Sequence, residues 1–516
     1  MQNNTKKPSV ARSVGTVGLI TTLSRVLGML REMVRAWALG TGMYSDAFVL
    51  AFSLPNLFRR LSAEGAMSNA FIPVFCQVDK EEGRARAMAF ARSFFWVLTL
   101  ILTLLTLVFV WQADWLVSHI FAAGYSGETL EVTIFLTRVM FVYMILISLA
   151  AVAQGVLNGI SIFWISAATP VALNLAIIGM ALGLKDQFEN PALSFSLGVV
   201  LGGVLQLGMQ FPSLYKAGFS LFGSLWDPKV KEVFRLILPT IFGVGIYQIN
   251  ILISNLIATG LGEGALSSLT FSNRLLELVL GVVVVSITTV TLPRLSGFFT
   301  SGDLKAVTLN ISRTLKIVAF FSLPVTIITL ALKEEIVRLL FLRGEFNQTS
   351  LQMTAGALFY HILGLIFISF NRVVLTAYQG ARRLQITVWV AGVAMVVNLA
   401  ACYGLSELMG HLGIAAASSL SQAVQWFLLA WFIGRLGLQN LWTWGFWLSL
   451  IKSTLAALAL YYPLLWLKAF MIDWPLLISL PFMGLLAVVG YVVLGLLFKN
   501  PESEEALGLL RKAYRK

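Results

Sequence analysis

The sequence predicts an all-α polytopic membrane protein with about fourteen transmembrane helices, and three observations support this. Of its 516 residues, 58% are hydrophobic and only 12% are charged, whereas an ordinary soluble domain has about 25% charged residues. The mean hydropathy is +0.84. Apolar stretches of about 20–30 residues follow one another with short interruptions, and each is long enough to cross about 30 Å of hydrocarbon. A soluble protein of this length would need a far more polar surface.

Each apolar stretch is interpreted as a helix, because the strands of a transmembrane barrel would be short and would alternate in hydrophobicity. An even number of helices places both termini on the same side of the membrane. The predicted spans are 13–40, 46–76, 87–113, 131–157, 162–184, 192–215, 233–260, 265–297, 307–332, 350–378, 384–405, 412–434, 445–467 and 474–498.

The basic residues predict the orientation of these helices. Most of the 37 Lys and Arg residues fall in one alternating set of loops, which includes both tails. Loops rich in Lys and Arg face the cytoplasm, so both termini are predicted to be cytoplasmic. This distribution also accounts for the net charge of +13 without a nucleic-acid partner. The two cysteines are too few for a disulfide framework or a zinc site.

The chain repeats itself at an offset of about 220 residues. The interval from Gly42 to Pro73 recurs as Gly262 to Pro293, and Asn174 recurs near that offset as Asn398. Six helices separate equivalent helices, so the halves have the same orientation and are related by a pseudo-two-fold axis along the membrane normal. Two six-helix lobes and two additional C-terminal helices are therefore predicted, with boundaries at 1–220, 221–440 and 441–516.

The first predicted helix carries an unusual density of charge. Arg25, Arg31, Glu32 and Arg35 all lie within it, and Arg31 and Arg35 fall on one helical face. Ionisable residues within a membrane span are costly and usually face a cavity. The structural alternative is that Arg35 extends to the membrane surface and that Glu32 only neutralises an arginine.

The second predicted helix is also polar. It contains Asp46, Asn56, Arg59, Arg60 and Glu64. Arg59 and Arg60 point about 100° apart, so we expect one of them to face the substrate while Arg60 pairs with Glu64 four residues later. Asp46 lies near the outer end, where a carboxylate at a helix start is also common for structural reasons.

The second lobe has its clearest intramembrane charges in helix eight. Arg274 and Glu277 lie one turn apart, and Arg274 occupies the repeat position of Leu54. A self-neutralising pair is the structural alternative. If Arg274 faces the same central space as the first-lobe arginines, the cavity is cationic. Guanidinium groups bind phosphate oxygens through two parallel hydrogen bonds, so the expected cargo is an anion such as a pyrophosphate.

No motif indicates an enzyme. The three histidines are scattered, without metal-ligand spacing. There is no Walker loop, nucleophile elbow or dinucleotide fingerprint. The sequence therefore predicts a transporter without a cofactor, and it identifies no coupling ion.

Five segments of the chain form recognisable motifs. They are SRVLGMLRE (24–32), SDAFVLAFSLPNLFRRLSAEGAMSNAFIPVF (45–75), FSNRLLEL (271–278), TLPRLS (291–296) and FLRGEFNQT (341–349). Together they resemble the MurJ (MviN) family, which belongs to the multidrug/oligosaccharidyl-lipid/polysaccharide exporter superfamily and flips lipid II. The similarity extends from about residue 12 to residue 500, and the first-lobe motif is long and specific.

The resemblance implies a V-shaped alternating-access transporter whose helices thirteen and fourteen line a groove for the polyprenyl tail. It implies that four arginines bind substrate: Arg25, Arg31, Arg59 and Arg274. It also implies gating or supporting roles for Asp46, Asn56 and Glu64. Glu32, Arg60 and Glu277, which are charged neighbours of these residues and of the arginines, are expected to have supporting roles as well. Some relatives coordinate sodium through an acid in helix seven, which this chain lacks; Asn250 and Asn398 are the neutral candidates to replace it.

The function expected from the residues and the resemblance together is a flippase of a bacterial inner membrane. It would move lipid II to the periplasmic leaflet for peptidoglycan biosynthesis and cell shape. The expected partners are lipid II and membrane lipids, with the cell-wall synthesis machinery as a further candidate. Two alternatives remain: a superfamily relative that exports another polyprenyl-linked glycan or drugs, and a membrane scaffold that transports nothing.

Overall fold

The structure is a computed structural model that describes residues 10–60, 70–282 and 284–514. Within these ranges every regular element is a helix, and no strand is present. The all-α class predicted from composition is confirmed.

The first half of the described chain, up to Thr259, forms ten α-helices. They are α1 (Val10–Leu39), α2 (Met43–Arg59), α3 (Ile72–Glu81), α4 (Arg84–Trp111), α5 (Ala113–Leu116), α6 (Gly127–Gly159), α7 (Trp164–Leu184), α8 (Ala192–Gly208), α9 (Phe211–Lys216) and α10 (Pro228–Thr259). A π-helical turn at Val117–Phe121 and a 3₁₀ turn at Lys185–Gln187 extend α5 and α7.

The rest of the described chain forms eleven α-helices. They are α11 (Ala265–Val282), α12 (Val284–Thr300), α13 (Leu304–Phe341), α14 (Gln348–Leu363), α15 (Leu365–Gly380), α16 (Leu384–Met409), α17 (His411–Phe432), α18 (Trp444–Leu458), α19 (Tyr461–Phe470), α20 (Leu476–Leu497) and α21 (Pro501–Tyr514). Two 3₁₀ turns, Ile433–Leu436 and Gln439–Leu441, lie between α17 and α18.

Each predicted span coincides with a helix or a consecutive pair of helices. Among the described residues, nine helices are long and apolar enough to cross a membrane, and ten if α14 and α15, which bend by 42° at Gly364, count as one span. The other four predicted spans correspond to α1, α2 with α3, α10, and α11 with α12. The total of fourteen stays a prediction.

The described chain forms two compact units. The first runs to Ser267 and also includes the short segment Arg343–Phe346; the second consists of Ser268–Leu342 and the chain from Asn347 onward. An aromatic cluster forms much of the first core, where the rings of Phe71 and Phe94 stack with centroids 5.0 Å apart.

The C-terminal helices α18, α19 and α20 belong to the second unit and pack against α13. Their shared core includes Leu464, Met483 and the ring of Tyr491, whose centroid is 5.0 Å from that of Phe320. The opposite faces are apolar and exposed. Four exposed or partly exposed tryptophans flank these helices, as is typical of membrane interfaces: Trp444, Trp447, Trp466 and Trp474.

Candidate functional site

The charged stretch of α1 forms a buried ionic network in the first unit. Nη2 of Arg31 lies 2.5 Å from Oε1 of Glu32, and Nη2 of Arg35 lies 3.1 Å from Oε2 of the same carboxylate. The side chains of Glu32 and Arg35 are each 6% exposed. Arg35 therefore does not extend to the membrane surface. Two guanidinium groups share one carboxylate, so the cluster keeps an excess of positive charge.

Arg31 also forms a hydrogen bond with a residue of a second helix, which is not among the predicted site residues. Nη1 of Arg31 donates to Oδ1 of Asn174 on α7 at 3.2 Å, and Nδ2 of Asn174 donates to the backbone carbonyl of Ser24 at the same distance. Asn174 thus links two turns of α1. A signal was present, because an asparagine in an apolar span must find a polar partner.

Arg59 on α2 faces the same part of the first unit. Its Nε donates to Oδ1 of Asn56 at 2.8 Å. Arg31 and Arg59 both lie near the hydroxyl group of Tyr143 on α6, which donates to Oε1 of Gln206 at 3.3 Å. The structure therefore brings together two of the four predicted substrate arginines, along with Asn56.

Arg25, Arg60 and Glu64 are the other charged candidates predicted in the first two spans. Arg25 is exposed on α1, in contrast to the partly buried Arg31. Arg60 is partly buried directly after the end of α2. Glu64, its predicted partner, lies outside the described residues, so that pair stays a prediction.

Asp46 is fully buried and caps the N-terminus of another helix of the chain. Its two carboxylate oxygens accept hydrogen bonds from the backbone N–H groups of Gly264, at 2.7 Å, and Ser267, at 2.8 Å. The first N–H groups of a helix have no partner within that helix, and the positive end of the helix dipole favours a carboxylate. Asp46 therefore supplies α11 with a cap from α2.

Residues from two other segments of the first unit lie near Asp46. Burial raises the pKa of the Tyr125 phenol above its usual range, and the nearby charge of Asp46 raises it further. The neighbouring Gly124 donates its backbone N–H to Oγ1 of Thr259 at 3.2 Å. Asp46 at the start of α2 is thus one of several links among α2, the segment before α6 and the α10–α11 connection.

A segment of the second half also contacts the end of α1. The backbone N–H of Glu345 donates to the carbonyl oxygen of Trp37 at 3.0 Å. Gly344 has a φ of +58°, and a Cβ atom there would lie 2.2 Å from that carbonyl oxygen. Gly40 has a φ of +57°, and a Cβ atom there would lie 2.4 Å from the carbonyl oxygen of Glu345. Only glycine permits this backbone-to-backbone contact.

The ion pair predicted for helix eight is formed in the second unit and is more exposed than the network on α1. Nη1 of Arg274 lies 2.9 Å from Oε2 of Glu277, and the two side chains are 32% and 45% exposed. The self-neutralising arrangement, which the sequence left as an alternative, is therefore formed. It does not exclude a role in substrate binding, because a solvated ion pair is weak and an incoming phosphate can displace the carboxylate.

The two asparagines named as candidate sodium ligands lie in different units. Asn250 is partly buried in α10, and Asn398 is buried in α16. In the described part of the chain, no group of three or more His, Cys, Asp or Glu side chains is placed to hold a metal ion.

A family model described as "Lipid II flippase MurJ" matches residues 35–484. The chain is 33% identical to the probable lipid II flippase MurJ of Treponema pallidum, over 83% of this chain and 82% of that protein. It is 31% identical to the lipid II flippase MurJ of Burkholderia cenocepacia, over 81% and 82% respectively.

Solved structures have the same fold. A lipid II flippase MurJ in an inward closed conformation matches with a TM-score of 0.79 and 22% identity, over 93% of this chain and 98% of that one. An inward-facing multidrug resistance MATE family transporter matches with a TM-score of 0.70 and 16% identity, over 82% and 98%. At these identities the structural likeness shows the fold alone.

Proposed function

The chain belongs to the MurJ lipid II flippase family, and we propose that Arg31 and Arg59, with Arg25 and Arg274, bind the pyrophosphate of lipid II during its transfer. As a family member the protein is a lipid II flippase of the bacterial inner membrane, a transporter and not an enzyme. It serves peptidoglycan synthesis by moving the undecaprenyl-pyrophosphate-linked precursor across the bilayer. The likeness to drug exporters extends only to the fold.

The observation that carries this proposal is the convergence of Arg31 and Arg59 on one part of the first unit. Both lie near the hydroxyl group of Tyr143, while Arg35 and Glu32 lie beside Arg31 on α1. A pyrophosphate has several oxygens at fixed spacing, and two guanidinium groups that are already oriented bind it with little additional ordering. Asn174 and Glu32 provide that orientation for Arg31.

Asp46 is proposed to act as a gate. Its carboxylate accepts two backbone hydrogen bonds at the start of α11, and those N–H groups would have to find other partners if the two segments separated. Alternating access requires such contacts to break and re-form in each cycle. Asn56, Arg60, Glu64 and Glu277 are proposed to support the arginines.

The transporter's moving parts are proposed to be the two repeats, 1–220 and 221–440, with residues 441–516 added to the second. Both termini are proposed to be cytoplasmic, because the basic loops lie on their side. The exposed apolar faces of α18, α19 and α20 are proposed to accommodate the polyprenyl tail, which cannot enter a cationic cavity. The cell-wall synthesis machinery is proposed as a protein partner.

Arg59→Ala tests the site most directly, in vesicles that contain the purified protein and fluorescent lipid II. We expect flipping to be lost, because the variant lacks one of the two guanidinium groups proposed to converge on the pyrophosphate. The thermal unfolding temperature of the purified variant shows whether any of the loss comes from instability. Arg138→Ala is the matched control. Arg138 also lies within a span, but it is exposed and pairs with Asp114. Normal flipping by Arg59→Ala, or equal loss in the control, would contradict the proposal.

Growth of cells tests the function itself. The unaltered chain should restore growth of cells depleted of their own lipid II flippase. Failure to restore growth at normal membrane levels would contradict the function in those cells, whereas failure of Arg59→Ala alone concerns only the site.

A further inference from the structure

The segment that joins α9 to α10 exposes three large apolar side chains. Phe222, Leu225 and Trp226 are 88%, 60% and 63% exposed. Residues 220–226 contain no helix, so this is irregular backbone with apolar side chains directed outward. An exposed loop with this composition needs an apolar surrounding.

The backbone of this segment is fixed by α4. Nη1 of Arg92 donates to the carbonyl of Phe222 at 2.8 Å, and Oγ of Ser93 donates to that of Ser224 at 3.1 Å. Nε1 of Trp96 donates to the carbonyl of Leu221 at 2.9 Å. Three consecutive or nearly consecutive carbonyl groups therefore have protein donors, which irregular backbone requires where water is scarce.

Gly223 permits the close approach of Arg92. Its φ is +134°, and a Cβ atom there would lie 2.5 Å from Cζ of that arginine. The segment is therefore held in one shape by α4 and by a position that only glycine can occupy without strain.

The contacts on α4 place the segment at the depth of a membrane interface. With a rise of 1.5 Å per residue, Arg92 and Trp96 lie about 12 and 18 Å along the helix from Arg84 at its start. The exposed Trp111, at the other end, lies about 22 Å beyond Trp96. Arg92 is the last charged residue of α4, and the 19 uncharged residues from Ser93 to Trp111 extend about 28 Å, close to the thickness of the hydrocarbon core. Residues 221–224, which are bonded to Arg92, Ser93 and Trp96, therefore lie beside the edge of that core nearer to Arg84.

The exposed charged residues on either side of the segment are mostly basic. Lys216, Lys231 and Arg235 are exposed on either side of the segment. The acid between them, Asp227, is buried, where it caps α10 at Lys229 and pairs with Arg86. Glu232 is also exposed and pairs with Lys229, so the flanks keep a net positive charge.

We propose that residues 220–226 form an interfacial anchor that inserts Phe222, Leu225 and Trp226 into the leaflet nearer to the start of α4 and gathers anionic phospholipids there. The apolar side chains supply the insertion. The flanking lysines supply the lipid preference, since basic residues beside a membrane attract anionic headgroups. The anchor lies immediately before α10 and is separate from the proposed lipid II site, so it does not depend on the flippase function.

A fluorophore on residue 226 tests both parts. The full chain carries Cys76→Ser and Cys402→Ser, so that Trp226→Cys is the single labelling position, and bimane is attached to it. The protein is reconstituted in phosphatidylcholine vesicles that contain an equal fraction of either brominated phosphatidylcholine or brominated phosphatidylglycerol. We expect quenching by both lipids and more by phosphatidylglycerol. Bimane on Ser301→Cys, in the exposed turn before α13, should be quenched far less.

The preference should disappear in Lys216→Gln with Lys231→Gln. At about fivefold for each basic residue, which corresponds to ~1 kcal/mol, two lysines account for most of the enrichment. Lys80→Gln with Lys305→Gln removes the same charge from positions elsewhere on the surface and should leave it unchanged. Quenching at residue 226 no greater than at residue 301 would overturn the anchor, and equal quenching by the two lipids would overturn the anionic preference. Neither readout requires lipid II.

Discussion

The two units treat intramembrane charge in different ways. In the first, Arg31, Glu32 and Arg35 form a buried network, and Asn174 fixes the arginine from another helix. In the second, Arg274 pairs with Glu277 one turn away, and the two side chains are 32% and 45% exposed.

The difference predicts that the two units contribute unequally to the binding of an anion. A buried guanidinium with fixed partners is ready to bind but is costly to disturb, because removal of one member leaves an uncompensated charge. An exposed arginine contributes little to stability and can follow its ligand. We expect the first unit to fix the position of the pyrophosphate and Arg274 to add a mobile contact.

The largest expected effect is that of Arg31→Ala. It should abolish rescue of flippase-depleted cells, because it removes a substrate contact and leaves Glu32 buried with less compensation. Loss of one partner of a buried ion pair costs about 3–5 kcal/mol, so the purified protein should also unfold at a lower temperature. Adding Glu32→Gln to Arg31→Ala should lower the unfolding temperature further, because it leaves the buried Arg35 without its carboxylate partner, and it should not restore transport. Growth at normal expression of either variant would remove Arg31 from the site.

Substitution of Arg274 should also affect transport, but it should have little effect on stability. Arg274→Ala should abolish transport with little change in the unfolding temperature, and Arg274→Lys should lower substrate affinity by about tenfold to a hundredfold. Lysine keeps the charge but loses the planar fork, and one charge-assisted hydrogen bond contributes about 1.5–3 kcal/mol. Initial flipping rates over a range of lipid II concentrations measure this. Full activity of Arg274→Lys would leave only a general electrostatic attraction.

Asp46 should show an intermediate effect on stability. Loss of a helix cap costs about 0.5–2 kcal/mol, and we expect Asp46→Ala to fall at the upper end because the carboxylate is buried. Asp303→Ala is the matched control, since Asp303 caps α13 through the N–H of Ala306 at an exposed position. Thermal unfolding of the two purified variants gives the comparison. Equal shifts would show that burial adds nothing to the Asp46 cap.

The smallest effect is expected for Asn174→Leu. It removes one long hydrogen bond to Arg31 and should weaken lipid II binding by a few-fold, at about 1 kcal/mol. A positioning role requires that the effect largely vanish in an Arg31→Lys background. If the two changes were additive in the concentration dependence of flipping, Asn174 would act independently of Arg31.

The sequence predicted the helical membrane class well, because composition and the length of apolar segments determine it directly. It also identified the charged positions of α1, α2 and α11, since intramembrane charge is conspicuous in any sequence. It could not identify partners that lie far apart along the chain. Asn174 meets Arg31 only after α7 packs beside α1, and the cap that Asp46 gives to Gly264 depends on how two distant segments meet.

The same limit applies to pairing. The sequence left open that Arg35 lies near a helix end, where a long side chain can reach water, but in the structure it is buried against Glu32. The choice between these outcomes depends on packing that no local pattern records. The pairing of Arg274 with Glu277 was foreseeable, because residues three apart on a helix are neighbours.

The contact of Gly344 with Trp37 bears on how the protein is made. The segment Arg343–Phe346 completes the first unit, yet α11, α12 and α13 are all translated before it. While the ribosome is still synthesising those helices, the carbonyl of Trp37 lacks the hydrogen bond that Glu345 later provides. The first unit can therefore reach its final form only when synthesis of the second is well under way, which makes its maturation dependent on continued elongation.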